Sequence, residues 1–82
     1  MIELFVAVVN RFVKDLDHPS MGIRTQAIDY FLAENEAFVA NAKKFGMPHQ
    51  WIRFEVEKIV NEEGFRKKKL VENLSKKIRE YA

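Results

Sequence analysis

Residues 38–59, FVANAKKFGMPHQWIRFEVEKI, decide the fold of this chain because they place a sharp corner between two amphipathic segments. Gly46 follows the apolar residues of the first segment, and glycine accepts the left-handed backbone that often ends a helix. Pro48 suits the first turn of a second helix, since the N–H that proline lacks has no helical partner there. The stretch therefore predicts two helices, over about residues 36–45 and 48–62, joined by a tight turn.

Apolar side chains recur every three or four residues on one side of both segments, as in helices that pack one face against a core. The inward positions are Phe38, Val39, Ala42 and Phe45 in the first segment, and Ile52, Val56, Ile59 and Val60 in the second. Gly64 is predicted to close the second helix.

Towards the N-terminus, the same periodicity predicts helices over about residues 2–16 and 21–33. Pro19 stops the first, and Ser20 can cap the second. The inward residues are Ile2, Phe5, Val6, Val9, Phe12, Val13 and Leu16, then Ile23, Ala27, Ile28, Phe31 and Leu32; Arg24, Gln26, Asp29 and Glu34 are predicted to face water. Only Asn35 offers a cap before residue 36, which leaves open that this helix and the next are continuous.

Towards the C-terminus, a last helix is predicted over about residues 66–81. Its apolar residues fit one helical face better than a strict alternation. They are Leu70, Val71, Leu74, Ile78 and Tyr81. The fold class expected is all-α: one domain, residues 1–82, forming a compact bundle of about five short helices with short connections.

Composition is that of a small globular protein rather than a secreted or membrane one. Of the 82 residues, 48% are apolar and none is Cys, which excludes disulfides, thiolate metal sites and cysteine nucleophiles. The first ten residues are apolar, but Glu3 stands where a signal peptide would be basic, and Asn10 and Arg11 end the run far short of a membrane span. We expect a cytoplasmic protein with no membrane span.

Charge is distributed unevenly along the chain. Residues 1–64 carry seven Lys and Arg against ten Asp and Glu, whereas residues 65–82 carry seven against two. Such asymmetry is typical either of a segment that binds phosphate or of a solvated last helix.

Three positions of residues 38–59 resemble the helix-turn-helix of small bacterial and phage transcription regulators. Ala42 is the small residue where two helices cross, Gly46 is the turn residue four later, and Ile52 is the buried anchor six beyond that. Helices that cross near a right angle through a short turn need these residue types. The resemblance covers about a quarter of the chain and implies a bundle that contains a helix-turn-helix.

The resemblance implies a DNA-binding regulator whose second helix enters the major groove. Its exposed N-terminal side would present His49, Gln50 and Arg53, where Gln50 matches adenine and Arg53 matches guanine. The lysines expected to contact phosphate are Lys43, Lys44 and Lys58, and the contact would be extended by the basic residues Arg66, Lys67, Lys68 and Lys69. Glu55 and Glu57 on the same helix count against this interpretation because they repel phosphate.

The alternative is a small phage-type helical regulator that binds a protein and not DNA, for example host polymerase or lysis machinery, as a cytoplasmic antiholin does. Trp51 and Phe54 lie off the apolar stripe, and such rings are covered either by a partner or by the last helix, which is the cover we favour.

No catalytic or metal-binding pattern accompanies these features. His18 and His49 are far apart in sequence and lack a metal-ligand motif, and no phosphate loop occurs. We expect neither an enzyme nor a cofactor nor a small-molecule substrate. A homodimer is a further expectation for the DNA-binding hypothesis. The first helix offers a face in heptad register, although its packing into the core is favoured.

Overall fold

The computed structural model describes residues 2–33 and 36–82, and of Glu36 only the backbone. The described residues form five helices and no strand. In chain order these are α1 (Ile2–Asp15), α2 (Met21–Leu32), α3 (Glu36–Phe45), α4 (His49–Val60) and α5 (Gly64–Arg79). The all-α fold predicted from the periodicity is confirmed, and the helix bounds differ from the predicted ones by at most two residues.

The core lies between α1 and the other helices. α1 packs against α5 on one side and α2 on the other, while α4 packs against α2, α3 and α5. Fully buried side chains come from all five helices, as the apolar stripes of the sequence predict. Among them are Val9, Val13, Phe31, Phe38, Ile52, Val56 and Ile78. Phe5, Val9 and Leu16, which form part of the heptad pattern of the first helix, are buried in this core and leave no free seam there.

Six aromatic rings join α1, α2 and α3. Phe12 stacks on Tyr30 with ring centroids 4.1 Å apart, and Phe31 meets Phe38 edge to face at 5.1 Å. Phe5 lies 6.5 Å from Phe38 and 5.5 Å from Phe45. Offset and edge-to-face contacts of this kind stabilise a core beyond the area they bury. The rings therefore attach α3 to the first two helices.

The turn between α1 and α2 is held by local hydrogen bonds. The Ser20 hydroxyl accepts a bond from the backbone N–H of Ile23, which confirms Ser20 as the cap of α2. His18 Nδ1 accepts the backbone N–H of Ser20 at 3.0 Å. Arg24, predicted to face water, is half-buried because its guanidinium donates to the carbonyl oxygens of His18 and Pro19.

The ends of α4 and α2 bear on two of the predictions made from the sequence. Gly64 does not close α4, which ends at Val60; it has a φ of 63° and begins α5. α2 ends at Leu32, because Ala33 is extended with a ψ of 165°, so the helix does not continue past this point. The predicted cap Asn35 and the predicted outward position of Glu34 lie outside the described residues.

Candidate interaction surface

The corner between α3 and α4 is built by backbone hydrogen bonds at Gly46. Its φ is 71°, the left-handed conformation predicted from the sequence. The N–H of Met47 donates to the carbonyl of Ala42 at 2.8 Å, and the N–H of Gly46 donates to that of Lys43 at 3.3 Å. This pair of bonds is the Schellman motif, which satisfies carbonyls at a helix end. The chain then reaches α4 after Met47 and Pro48.

Two predicted anchors hold the corner in place. Ala42 and Ile52 are both fully buried, as expected for a small contact residue and an apolar anchor. Met47 is also buried, at the position where the Schellman motif places an apolar contact with the last turn of the helix. The position of Met47 directly after Gly46 is the feature of the sequence that could have identified it as buried.

One side of α4 faces away from the rest of the bundle. Four exposed residues of α4 and the exposed C-cap residue that follows it share one helical face, because the last four stand four, seven, eight and eleven positions after the first. We call this set the α4 outer stripe: Gln50, Phe54, Glu57, Lys58 and Asn61. Phe54 lies in its middle and is 59% exposed. The one acidic and the one basic residue of the stripe give it no net charge.

Arg53 does not lie on this stripe, contrary to the prediction that it is free to read a base. It is half-buried, and its Nε donates to the carbonyl oxygen of Phe31 at 2.7 Å. Phe31 belongs to the last turn of α2, where carbonyls lack a helical partner and where a positive charge is favourable. α2 has no basic residue of its own in that turn. Arg53 therefore caps α2 from α4.

His49 is also less accessible than predicted. It begins α4 and is half-buried, and its Nδ1 is buried without a hydrogen-bond partner among the described residues. Of the three residues predicted to read bases, only Gln50 is exposed.

Trp51 and Phe54 differ in their surroundings. Trp51 is half-buried, and Lys77 Nζ of α5 lies 5.4 Å from its ring centroid, so the last helix does cover this ring. Phe54 is not covered by α5. The side chain of Lys58, on the same helix, lies over it, with Nζ 5.3 Å from the ring centroid. The predicted cover by the last helix is thus right for Trp51 and wrong for Phe54.

The lysines predicted to contact phosphate occupy several places. Lys43 and Lys44 are exposed at the end of α3, and Lys68 is exposed on α5. Lys58 pairs with Glu55 at 3.5 Å. Lys67 is half-buried and lines a groove between the α1–α2 and α4–α5 turns. Of these lysines, only Lys58 shares the α4 outer stripe with Gln50.

Within residues 2–33 and 36–82, no three His, Asp or Glu side chains come together as metal ligands would. None of the helices there combines the length and apolarity required to cross a membrane.

Comparison with known proteins gives no relative. No protein-family model, curated protein or solved structure matches the chain. The resemblance to a helix-turn-helix therefore depends on residues 38–59 alone.

Proposed function

We propose that this chain is a protein-binding module whose contact surface is the α4 outer stripe, with Phe54 as its central anchor. The observation that carries the proposal is the exposed phenyl ring in the middle of that stripe. Large aromatic side chains are enriched among the residues that dominate binding energy in protein interfaces. The partner would offer an apolar pocket for the ring and polar groups for Gln50 and Asn61.

The charge of the α4 outer stripe favours a protein over DNA as the partner. Glu57 and Lys58 cancel, and Lys58 is further paired with Glu55. DNA binding requires cationic groups to neutralise phosphate, and the guanidinium of Arg53 is held by Phe31 instead. A protein interface needs no excess of positive charge, and aromatic residues are enriched in it.

The test compares wild type with Phe54→Ala and Phe65→Ala. Phe65 is the matched control because its ring is 79% exposed but lies on α5. Each chain is immobilised, nuclease-treated lysate of the source cells is applied, and captured proteins are quantified by mass spectrometry. Calorimetry with the purified partner then gives Kd. We expect Phe54→Ala to weaken binding by roughly 30-fold, the effect of losing an interface anchor, and Phe65→Ala by less than about twofold.

Circular dichroism must be unchanged in both variants, as exposed positions predict. A partner that binds Phe54→Ala and wild type equally well would overturn the proposal.

DNA binding is a second candidate function, supported by the corner at Gly46 with Lys43, Lys44 and Gln50 exposed around it. Fluorescence anisotropy with mixed-sequence duplex tests it, because phosphate contacts make log affinity fall linearly with log salt. Under this hypothesis Gln50→Ala relaxes the sequence preference, whereas Lys68→Ala weakens binding to every sequence. Absence of binding at about 50 mM salt, a concentration low enough for phosphate contacts to be strong, would reject it.

A further inference from the structure

The outer side of α1 is a helix face of mixed character that none of the other described helices covers. Leu4, Ala7, Arg11 and Lys14 are exposed, and their spacing of three, four and three residues puts them in one line along the helix. Leu4 is 72% exposed, and Val8 beside the line is 42% exposed. This face lies opposite the buried stripe of α1, and its spacing is that of a seam between two helices.

A depression in this face contains a buried polar group without a partner. It has a volume of about 420 Å³ and is lined by Ala7, Asn10, Arg11, Lys14 and Asp15. Asn10 is only 9% exposed, and its Oδ1 has no hydrogen-bond partner among the described residues. A buried acceptor of this kind is costly unless a donor reaches it.

We propose that this face binds a second copy of the chain, with the two α1 helices antiparallel. Charge complementarity selects this occupant, because α1 has Glu3 in its first turn and Lys14 in its last. A two-fold axis between residues 8 and 9 puts Glu3 level with Lys14 of the second copy. By symmetry it also puts Lys14 level with Glu3 of the second copy. A parallel pair would instead put like charges side by side, which is unfavourable.

The same axis accounts for the small and polar residues of the face. It puts Ala7 level with Asn10 of the second copy and brings the two Val8 side chains together. The two Asn10 residues are then about 4.5 Å apart along the helix direction, since a helix rises about 1.5 Å per residue.

The dimer is expected to be weak. One pair of 14-residue helices is about 21 Å long and buries much less than the roughly 800 Å² per partner of a stable complex. Sedimentation equilibrium over a range of loading concentrations measures it, and wild type is expected to pass from monomer to dimer as concentration rises. This proposal does not rest on the proposed function, and Phe54→Ala is expected to leave the dimer unchanged.

A charge swap tests the register. Glu3→Lys and Lys14→Glu each turn two attractive pairs into repulsive ones and are expected to weaken the dimer about tenfold. The double variant Glu3→Lys/Lys14→Glu restores both pairs and should dimerise like wild type. Lys76→Glu, an exposed change on α5, is the control and should have no effect. A monomer at every concentration, or a double variant as weak as the single ones, would overturn the proposal.

Discussion

Arg53 illustrates how a single side chain can look functional in a sequence and be structural in the fold. Its guanidinium satisfies a carbonyl at the end of α2 with a bond of 2.7 Å, in a helix whose last turn contains no cation. The two residues are 22 positions apart. No local spacing rule predicts such a contact, because helix periodicity relates residues only three or four apart.

Replacing Arg53 is expected to cost stability. Arg53→Met keeps an apolar stem but leaves the Phe31 carbonyl without its donor. A hydrogen bond to a charged group contributes about 1.5–3 kcal/mol, and partial exposure reduces this to about 1–2 kcal/mol. Urea denaturation followed by circular dichroism measures the change in the free energy of unfolding.

Arg66→Met is the matched control for this prediction. Arg66 is exposed, and its contact with Glu62 is long at 4.0 Å. The control should change the free energy of unfolding by less than about 0.5 kcal/mol. If the two variants are equally stable, Arg53 does not cap α2.

At the scale of the helices, the sequence was most informative where glycine, proline and capping residues mark boundaries. Ser20 and Gly46 act as predicted because their effects are local: a side-chain acceptor for a free N–H, and a backbone without a Cβ. Gly64 was assigned to the wrong helix because a left-handed residue can equally end one helix or precede the next. Its φ of 63° alone does not distinguish the two.

Replacing glycine by alanine is expected to change the free energy of unfolding in opposite directions at two positions. Gly46→Ala is expected to lower the free energy of unfolding by about 1–2 kcal/mol, since a side chain at a φ of 71° is strained although the space around it is open. Gly22→Ala is expected to raise it by about 0.4–1 kcal/mol. Gly22 lies in α2 without a left-handed φ, and a Cβ there would meet nothing closer than the Ser20 hydroxyl at 3.8 Å.

Thermal and urea denaturation of both variants measure the two changes side by side. Equal destabilisation by the two substitutions would contradict the left-handed assignment at Gly46.

At the scale of the whole molecule, the arrangement of the helices could not be predicted from the apolar stripes. Trp51 and Phe54 are three residues apart on α4, yet α5 covers only Trp51. The sequence places both rings off the stripe but does not say on which flank a neighbouring helix lies. α2 and α4 run antiparallel, since Phe31 meets Arg53 at one end while Arg24 and Glu62 line the same groove at the other. Such pairings depend on contacts between residues that are far apart in sequence. The candidate interaction surface could therefore be located only from the folded arrangement of the helices.

The aromatic cluster is expected to lower the stability of the domain at alkaline pH. Burial among the rings of α1, α2 and α3 raises the pKa of the Tyr30 phenol above its ordinary value of 10.0. The folded state therefore favours the neutral phenol more than the unfolded state does. The contribution of Tyr30 to the free energy of unfolding is present in full below the pKa that Tyr30 has in the unfolded chain. It is lost as the pH rises through the pKa that Tyr30 has in the folded domain.

Tyr30→Phe is expected to remove this part of the pH dependence while keeping the ring contacts with Phe12 and Phe38. Urea denaturation of both chains is measured at neutral pH and at pH values of about 9 to 11, which span the tyrosine pKa. It gives, for each chain, the slope of the free energy of unfolding against pH. The variant should lose less stability than wild type above pH about 10, because titration of the lysines is common to both chains and cancels in the comparison. The difference in absorbance at the tyrosinate band reports Tyr30 ionisation directly. Parallel slopes would mean that Tyr30 ionises as easily in the folded domain as in the unfolded chain, and that the ring cluster does not bury its hydroxyl.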